Sequence, residues 1–187
     1  MALSKIDVAN MLTGATPVAN GGTALTSGFV NGFTGVADLW RVTSGFSNDA
    51  TPIASNWERA DTYGFGQLGS GMTESSGIFT FPSTGIYRIS FHVYIYINGD
   101  DRLVETKIQT TTDNSSYNNL SDGVSFIQQT GGALTYNNSH NEGIFDVTNT
   151  TTHKCRFTVA VNNSSTQIAG DSNTSGTYVT FTRLGDT

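Results

Sequence analysis

The chain has 187 residues and a net charge of −6, and it contains only nine lysines and arginines in total. No basic run or stripe is present to neutralise phosphates, which argues against nucleic-acid binding. Charged residues make up 13% of the chain, too few for typical disorder, and the abundance of Thr, Tyr, Phe and Val favours an all-β protein over a helical bundle.

Residues 1–35 are predicted to form an N-terminal arm, separate from a domain at 36–187. Ser4 and Asp7 can cap a short helix that ends at Gly14. The Gly-rich run that follows is too short to bury a core, so the region is either a flexible tail or an arm that orders on a partner. If the region is an arm that orders on a partner, the apolar residues of the helix would dock it to a larger particle. These residues are Leu3, Ile6, Val8, Met11 and Leu12.

The segment Pro17–Thr23 reads Pro-Val-Ala-Asn-Gly-Gly-Thr. It resembles segments that recur in tail-fibre and related virion proteins of bacteriophages, especially marine ones. The N-terminus also has no apolar signal-peptide core, and no later segment is apolar enough to span a bilayer. We therefore expect a virion protein that is assembled in the host cytoplasm and does not insert into a membrane.

The longest predicted strand is Gly85–Ile97, after shorter strands at Leu39–Val42, Ser55–Glu58 and Gly77–Phe81. From Tyr87 onward every second residue of the long strand is large and apolar, so one face should enter a core. Asn98 and Gly99 then form the dipeptide most typical of a tight hairpin. We therefore predict that the following strand, at 102–111, returns beside the long strand.

The motif around this strand resembles the complement C1q-type globular domain, which shares its jelly roll with tumour necrosis factor. The resemblance implies a jelly-roll β-sandwich that assembles as a homotrimer and acts as a binding or structural module, not an enzyme. Ile89 departs from the motif, because the family more often has Phe there. The matching residues are Gly77, Phe79, Thr80, Pro82, Gly85, Tyr87, His92 and Val93.

The remaining strands are short and separated by polar loops, which suits a sandwich or jelly roll. The strands are predicted at 123–129, 133–137, 143–147, 154–161 and 176–184. The resemblance places the last of them at the centre of a sheet. Cys155, the only cysteine, shares a face with Phe157 and Val159 and is expected to be buried. Three polar loops could form a ligand-facing tip, and they span 113–119, 137–142 and 162–173.

No catalytic, cofactor or metal site is predicted. His140 and His153 fall in predicted loops, and no nucleophile motif accompanies any histidine. No pair of carboxylates is marked for glycan cleavage. Asp100-Asp101 and Asp113-Asn114-Ser115 could supply oxygen ligands to calcium, but neither has the spacing of a known loop, and turn formation explains both.

The polar face of the long strand is the predicted trimer interface, through Arg88, His92, Tyr94 and Tyr96. Tyrosine and arginine offer large contact areas and hydrogen bonds to a partner. The alternative is that this face forms a second core layer beneath loops of the same chain.

The sequence therefore predicts a homotrimeric bacteriophage virion protein, either a tail-fibre or a capsid-decoration component. Its partners would be itself, other virion proteins and, for a fibre tip used in host attachment, a host surface glycan or receptor. Two alternatives remain open. One is a glycan-binding tip with polysaccharide-degrading activity, and the other is a bacterial C1q-like binding protein.

Overall fold

A computed structural model describes residues 35–187. The predicted arm helix, with Leu3, Ile6, Val8, Met11 and Leu12, lies outside the described residues. The described part contains twelve β-strands: β1 Ala37–Val42, β2 Ser44–Ser47, β3 Trp57–Arg59, β4 Thr73–Ser75, β5 Ile78–Thr80, β6 Gly85–Ile97, β7 Asp101–Thr111, β8 Asn118–Ile127, β9 Thr135–Val147, β10 Lys154–Val161, β11 Gln167–Asp171 and β12 Tyr178–Gly185.

The strands form two antiparallel sheets packed as a jelly-roll sandwich. Sheet A has the order β2-β11-β6-β12-β1-β3, and β9 pairs with β6 along all of its thirteen residues. Sheet B has the order β4-β5-β10-β7-β8. The predicted all-β jelly roll is therefore confirmed, and β12 lies inside sheet A between β6 and β1 as expected.

The core lies between the sheets and is rich in aromatic rings. The alternate residues of β6 from Tyr87 to Ile97 are buried, as their period of two predicted. Phe79 lies at the centre of the core, and its ring centroid is 5.3–5.6 Å from those of Trp40, Trp57, Phe157 and Phe181. Cys155 is buried on the same face as Phe157, as predicted, and burial raises the pKa of its thiol.

The predicted hairpin at Asn98 and Gly99 is wrong. β7 does not return beside β6, because the chain crosses there from sheet A to sheet B, where β7 pairs with β10 and β8. Asp101 anchors the crossing, since its buried carboxylate accepts hydrogen bonds from the backbone N–H groups of Leu103 and Asn162 and from the Thr166 hydroxyl. Asn162 and Thr166 are distant from Asp101 in sequence, and the local turn pattern carries no sign of them.

The predicted loop at 137–142 is also wrong. Residues 133–137 and 143–147 were expected to be separate strands, but β9 runs without a break from Thr135 to Val147 and contains His140. Its inward polar residues make hydrogen bonds: Ser139 shares one with Thr106, and Asn141 Nδ2 donates to the carbonyl of Thr106, while Asn141 Oδ1 has no partner among residues 35–187. Polar side chains that make such hydrogen bonds can occupy a buried strand face.

Three short strands, β2, β4 and β11, were not predicted. β11 lies within the predicted loop at 162–173 and pairs with both β2 and β6. β2 and β4 contain four and three residues, too few for alternation to be recognised in sequence.

Candidate functional site

The outer face of sheet A carries a cluster of aromatic and apolar side chains that the described residues leave uncovered. It comes from β6, β9 and β12, whose registers place Tyr96 opposite Tyr136, and His92 opposite both His140 and Tyr178. We call this surface the tyrosine face. It comprises Arg88, His92, Tyr94, Tyr96, Tyr136, His140, Glu142, Ile144 and Tyr178.

Rings in contact form the centre of the tyrosine face. The Tyr136 ring centroid is 5.8 Å from that of Tyr94 and 5.6 Å from that of Tyr96. The His92 ring stacks on Tyr178 with centroids 5.1 Å apart. Tyr136 is nevertheless 53% exposed and Ile144 is 62% exposed. Large rigid rings with uncovered area are typical of the anchors of protein interfaces.

His92 and His140 face each other across β6 and β9, with ring centroids 6.0 Å apart. Burial lowers the pKa of His92, and the nearby His140 lowers it further, because both disfavour the charged imidazolium. The neutral form of His92 is therefore favoured in the folded protein.

Arg88 and Glu142 form an ion pair on the same face, with 2.6 Å between Arg88 Nη2 and Glu142 Oε2. Both side chains are exposed, so the pair contributes little to the stability of one protomer. It does orient the guanidinium group at the edge of the aromatic cluster.

A second exposed apolar patch lies on β8 of sheet B. Val124 and Phe126 point outward from this strand and are 63% and 61% exposed. β8 is the last strand of its sheet, so this patch lies at an edge. We call it the β8 patch, defined by Val124 and Phe126.

All four residues predicted for the interface lie together on the tyrosine face, while their role in a trimer stays a prediction. The alternative of a second core layer is not supported within residues 35–187, because Tyr94 is exposed there. Sequence reasoning missed Tyr136, Ile144 and Tyr178. The alternation of β9 could have revealed the first two, since Phe145 and Val147 alternate with them.

The two calcium candidates have structural roles. The carboxylate of Asp101 is buried and holds the crossing between the sheets. Asp113 Oδ1 accepts from the N–H groups of Ser115 and Ser116 and from the Thr111 hydroxyl, and these bonds hold its pKa well below the usual range. Within residues 35–187 no three metal-ligating side chains are grouped, and no helix has the length and apolarity to cross a bilayer.

The third histidine, His153, does lie outside the strands as predicted, but it is buried. Its Nε2 and Nδ1 lie 3.1 Å from the hydroxyls of Thr148 and Thr152, and its ring stacks on Phe145. These contacts give His153 a structural role in closing the turn before β10.

Comparison with solved structures identifies proteins of the same fold. Murine APRIL, crystallised at pH 5.0, matches with a TM-score of 0.58 and 14% identity over 80% of this chain and 99% of its own. Eiger TNF from S. frugiperda matches with a TM-score of 0.57 and 13% identity over 82% of this chain and 94% of its own. No protein-family model and no curated protein matches the chain. The likeness establishes a TNF-like jelly roll.

Proposed function

We propose that this chain is a homotrimeric, non-enzymatic structural protein of a bacteriophage virion, a tail-fibre or capsid-decoration component. Residues 36–187 form the outward head, and residues 1–35 dock it to the particle. The observation that carries the trimer is the tyrosine face, an aromatic surface on a TNF-like jelly roll that residues 35–187 leave uncovered. The families that the chain resembles also assemble as trimers.

The geometry of a three-fold ring supports the same assembly. In a closed trimer each contact joins two different surfaces of neighbouring protomers, whereas a two-fold dimer joins one surface to itself. The head presents two separate apolar surfaces, the tyrosine face on sheet A and the β8 patch on sheet B. In the proposed trimer, the β8 patch of each protomer packs against the tyrosine face of the next, at the end that carries Arg88, Glu142 and Ile144.

The virion role is supported by the arm. Pro17–Thr23 resembles segments of phage tail-fibre proteins, and the apolar residues before it can form one face of a docking helix. Within this role, a decoration protein would stabilise the shell without a ligand, while a fibre tip would bind the host surface.

Deletion of residues 1–35 tests this division of labour. The truncated head should sediment at about three times its own mass but should no longer bind purified particles, because the docking residues are gone. The full chain, which has a protomer mass of 19.9 kDa, should form a trimer and bind particles. A truncated head that still binds particles contradicts the docking role. A monomeric head shows that the arm drives assembly.

A further inference from the structure

A cleft of about 440 Å³ opens beside the tyrosine face, between β6, β11 and the turn at 171–176. Tyr94 and Tyr96 line one side of it, and Asp171 and Thr174 line another. This volume falls within the range of small-molecule sites, which combine apolar walls with a few polar groups.

Glycines keep the tyrosine rings accessible from the cleft. A Cβ atom at Gly176 would lie 3.5 Å from Tyr94 Cδ1, so a larger side chain there would cover the ring. At Gly170 a Cβ atom would lie 2.4 Å from the Ser44 carbonyl carbon, because β2 and β11 approach closely. The missing side chain at Gly176 therefore leaves Tyr94 open to the cleft, and the one at Gly170 lets β11 approach β2.

Asp171 supplies a fixed anionic acceptor. Its Oδ1 accepts hydrogen bonds from the N–H groups of Asn173 and Thr174 at 2.6 and 2.7 Å. These bonds lower the pKa of the carboxyl, and the charge of Arg41 lowers it further. Both bonds use Oδ1, which leaves Oδ2 available to a ligand that lies in the cleft.

We propose that this cleft binds a neutral pyranose unit of a surface glycan. The apolar C–H face of the sugar would pack on the flat tyrosine rings, and two of its hydroxyls would donate to Asp171 Oδ2. No lysine or arginine is among the residues that line the cleft, so an acidic sugar would meet the Asp171 carboxylate with no cation at the cleft wall to bind it. The inference goes beyond the proposed assembly, because it assigns a ligand to the Tyr94 and Tyr96 end of the tyrosine face, away from Ile144.

Saturation-transfer NMR on the full chain tests the site with four probes: methyl α-D-mannopyranoside, methyl α-D-glucopyranoside, methyl β-D-galactopyranoside and N-acetylneuraminic acid. At least one neutral pyranoside should receive saturation, and N-acetylneuraminic acid should receive none. Choline chloride is added as a fifth probe, since a carboxylate beside tyrosines could instead attract a cation.

Two variants locate the binding. Tyr96→Ala removes a ring of the wall, and Asp171→Asn removes the anionic acceptor while keeping an oxygen for the turn, so each should reduce the transfer at least five-fold. Tyr117→Ala is the matched control, because Tyr117 packs against Arg156 of β10 and does not line the cleft. It should retain the transfer.

Sedimentation of each variant in parallel reports the oligomeric state separately, so failure of the trimer and failure of the site are distinguishable. The inference is overturned if no neutral pyranoside receives saturation from the wild-type chain. It is also overturned if choline or N-acetylneuraminic acid gives the stronger signal, or if Tyr96→Ala and Asp171→Asn bind like the wild type.

Discussion

Phe79 contacts more of the aromatic core than its short strand suggests. It is fully buried, and four other rings surround it within 5.6 Å. Phe79→Ala would remove this packing and leave a cavity, so we expect the free energy of unfolding to fall by about 3–5 kcal/mol. Urea denaturation followed by tryptophan fluorescence measures the change, since Trp40 and Trp57 both pack on this ring.

Phe126→Ala is the matched control for this prediction. The same substitution on an exposed ring should change the free energy of unfolding of the protomer by less than about 0.5 kcal/mol. Because Phe126 belongs to the β8 patch, the comparison is made at a protein concentration low enough for the wild type to be monomeric. Equal losses in both variants would contradict the assignment of Phe79 to the core centre.

Single residues differ in how far their environment could be read from sequence. The burial of Cys155 was predictable, because its neighbours at i+2 and i+4 are large and apolar. The role of Asp101 was not, because its carboxylate is satisfied by Asn162, Asn163 and Thr166 from another part of the chain. An acidic dipeptide after a strand looks the same in sequence whether it caps a turn or anchors a crossing.

At the scale of elements, β6 and β9 show where sequence patterns succeed and fail. β6 begins and ends at the predicted residues, because its alternation is strong enough to mark both boundaries. β9 has the same length and pairs with β6 throughout, yet its middle reads as a polar loop. The inward residues Ser139 and Asn141 are polar since they meet polar groups of β7 and β8. For this reason the sequence did not reveal the part of the tyrosine face that β9 contributes, which is about half of it.

The histidine pair across β6 and β9 predicts a pH dependence. Because the folded state lowers the pKa of His92, the unfolded chain binds more protons as the pH falls below about 6.5. Stability contributed by neutral His92 is therefore present above that pH and is lost progressively as the pH falls towards the folded pKa. The titratable and charged groups around His92 come from four strands. They are Tyr94 and Arg88 on β6, His140 and Glu142 on β9, Tyr178 on β12 and Arg41 on β1, which lies opposite Tyr178.

Denaturation of the wild type and of His92→Gln between pH 7.5 and 5.5 measures this effect. The wild type should lose stability over this interval by more than the variant does, because glutamine does not titrate. The lowered pKa values of Asp113 and Asp171 affect stability only at more acid pH, so they do not interfere. Parallel pH profiles for the two proteins would contradict the account.

On the scale of the whole molecule, the fold was predictable and the assembly surface only in part. The motif around β6 pointed to the jelly roll, and the described head confirms it. The β8 patch was not predicted, because two apolar residues in a polar strand look like an inward face. A sequence shows which residues alternate, but the opposite sheet decides which of the two faces is covered.

The most direct test of the assembly is to mix two variants, each with one surface blocked. Ile144→Asp places a charge on the tyrosine face, and Phe126→Asp places one on the β8 patch. Both residues are exposed in the protomer, so each variant should fold and sediment as a monomer. Tyr63→Asp, a change at an 85% exposed residue outside both surfaces, should remain trimeric.

An equimolar mixture of the Ile144→Asp and Phe126→Asp proteins retains one intact tyrosine face and one intact β8 patch, on different chains. Sedimentation equilibrium of this mixture should therefore give a heterodimer of about twice the protomer mass of 19.9 kDa, since one contact re-forms and the ring cannot close. A mixture that remains monomeric, or single variants that still form trimers, would contradict the pairing of these two surfaces.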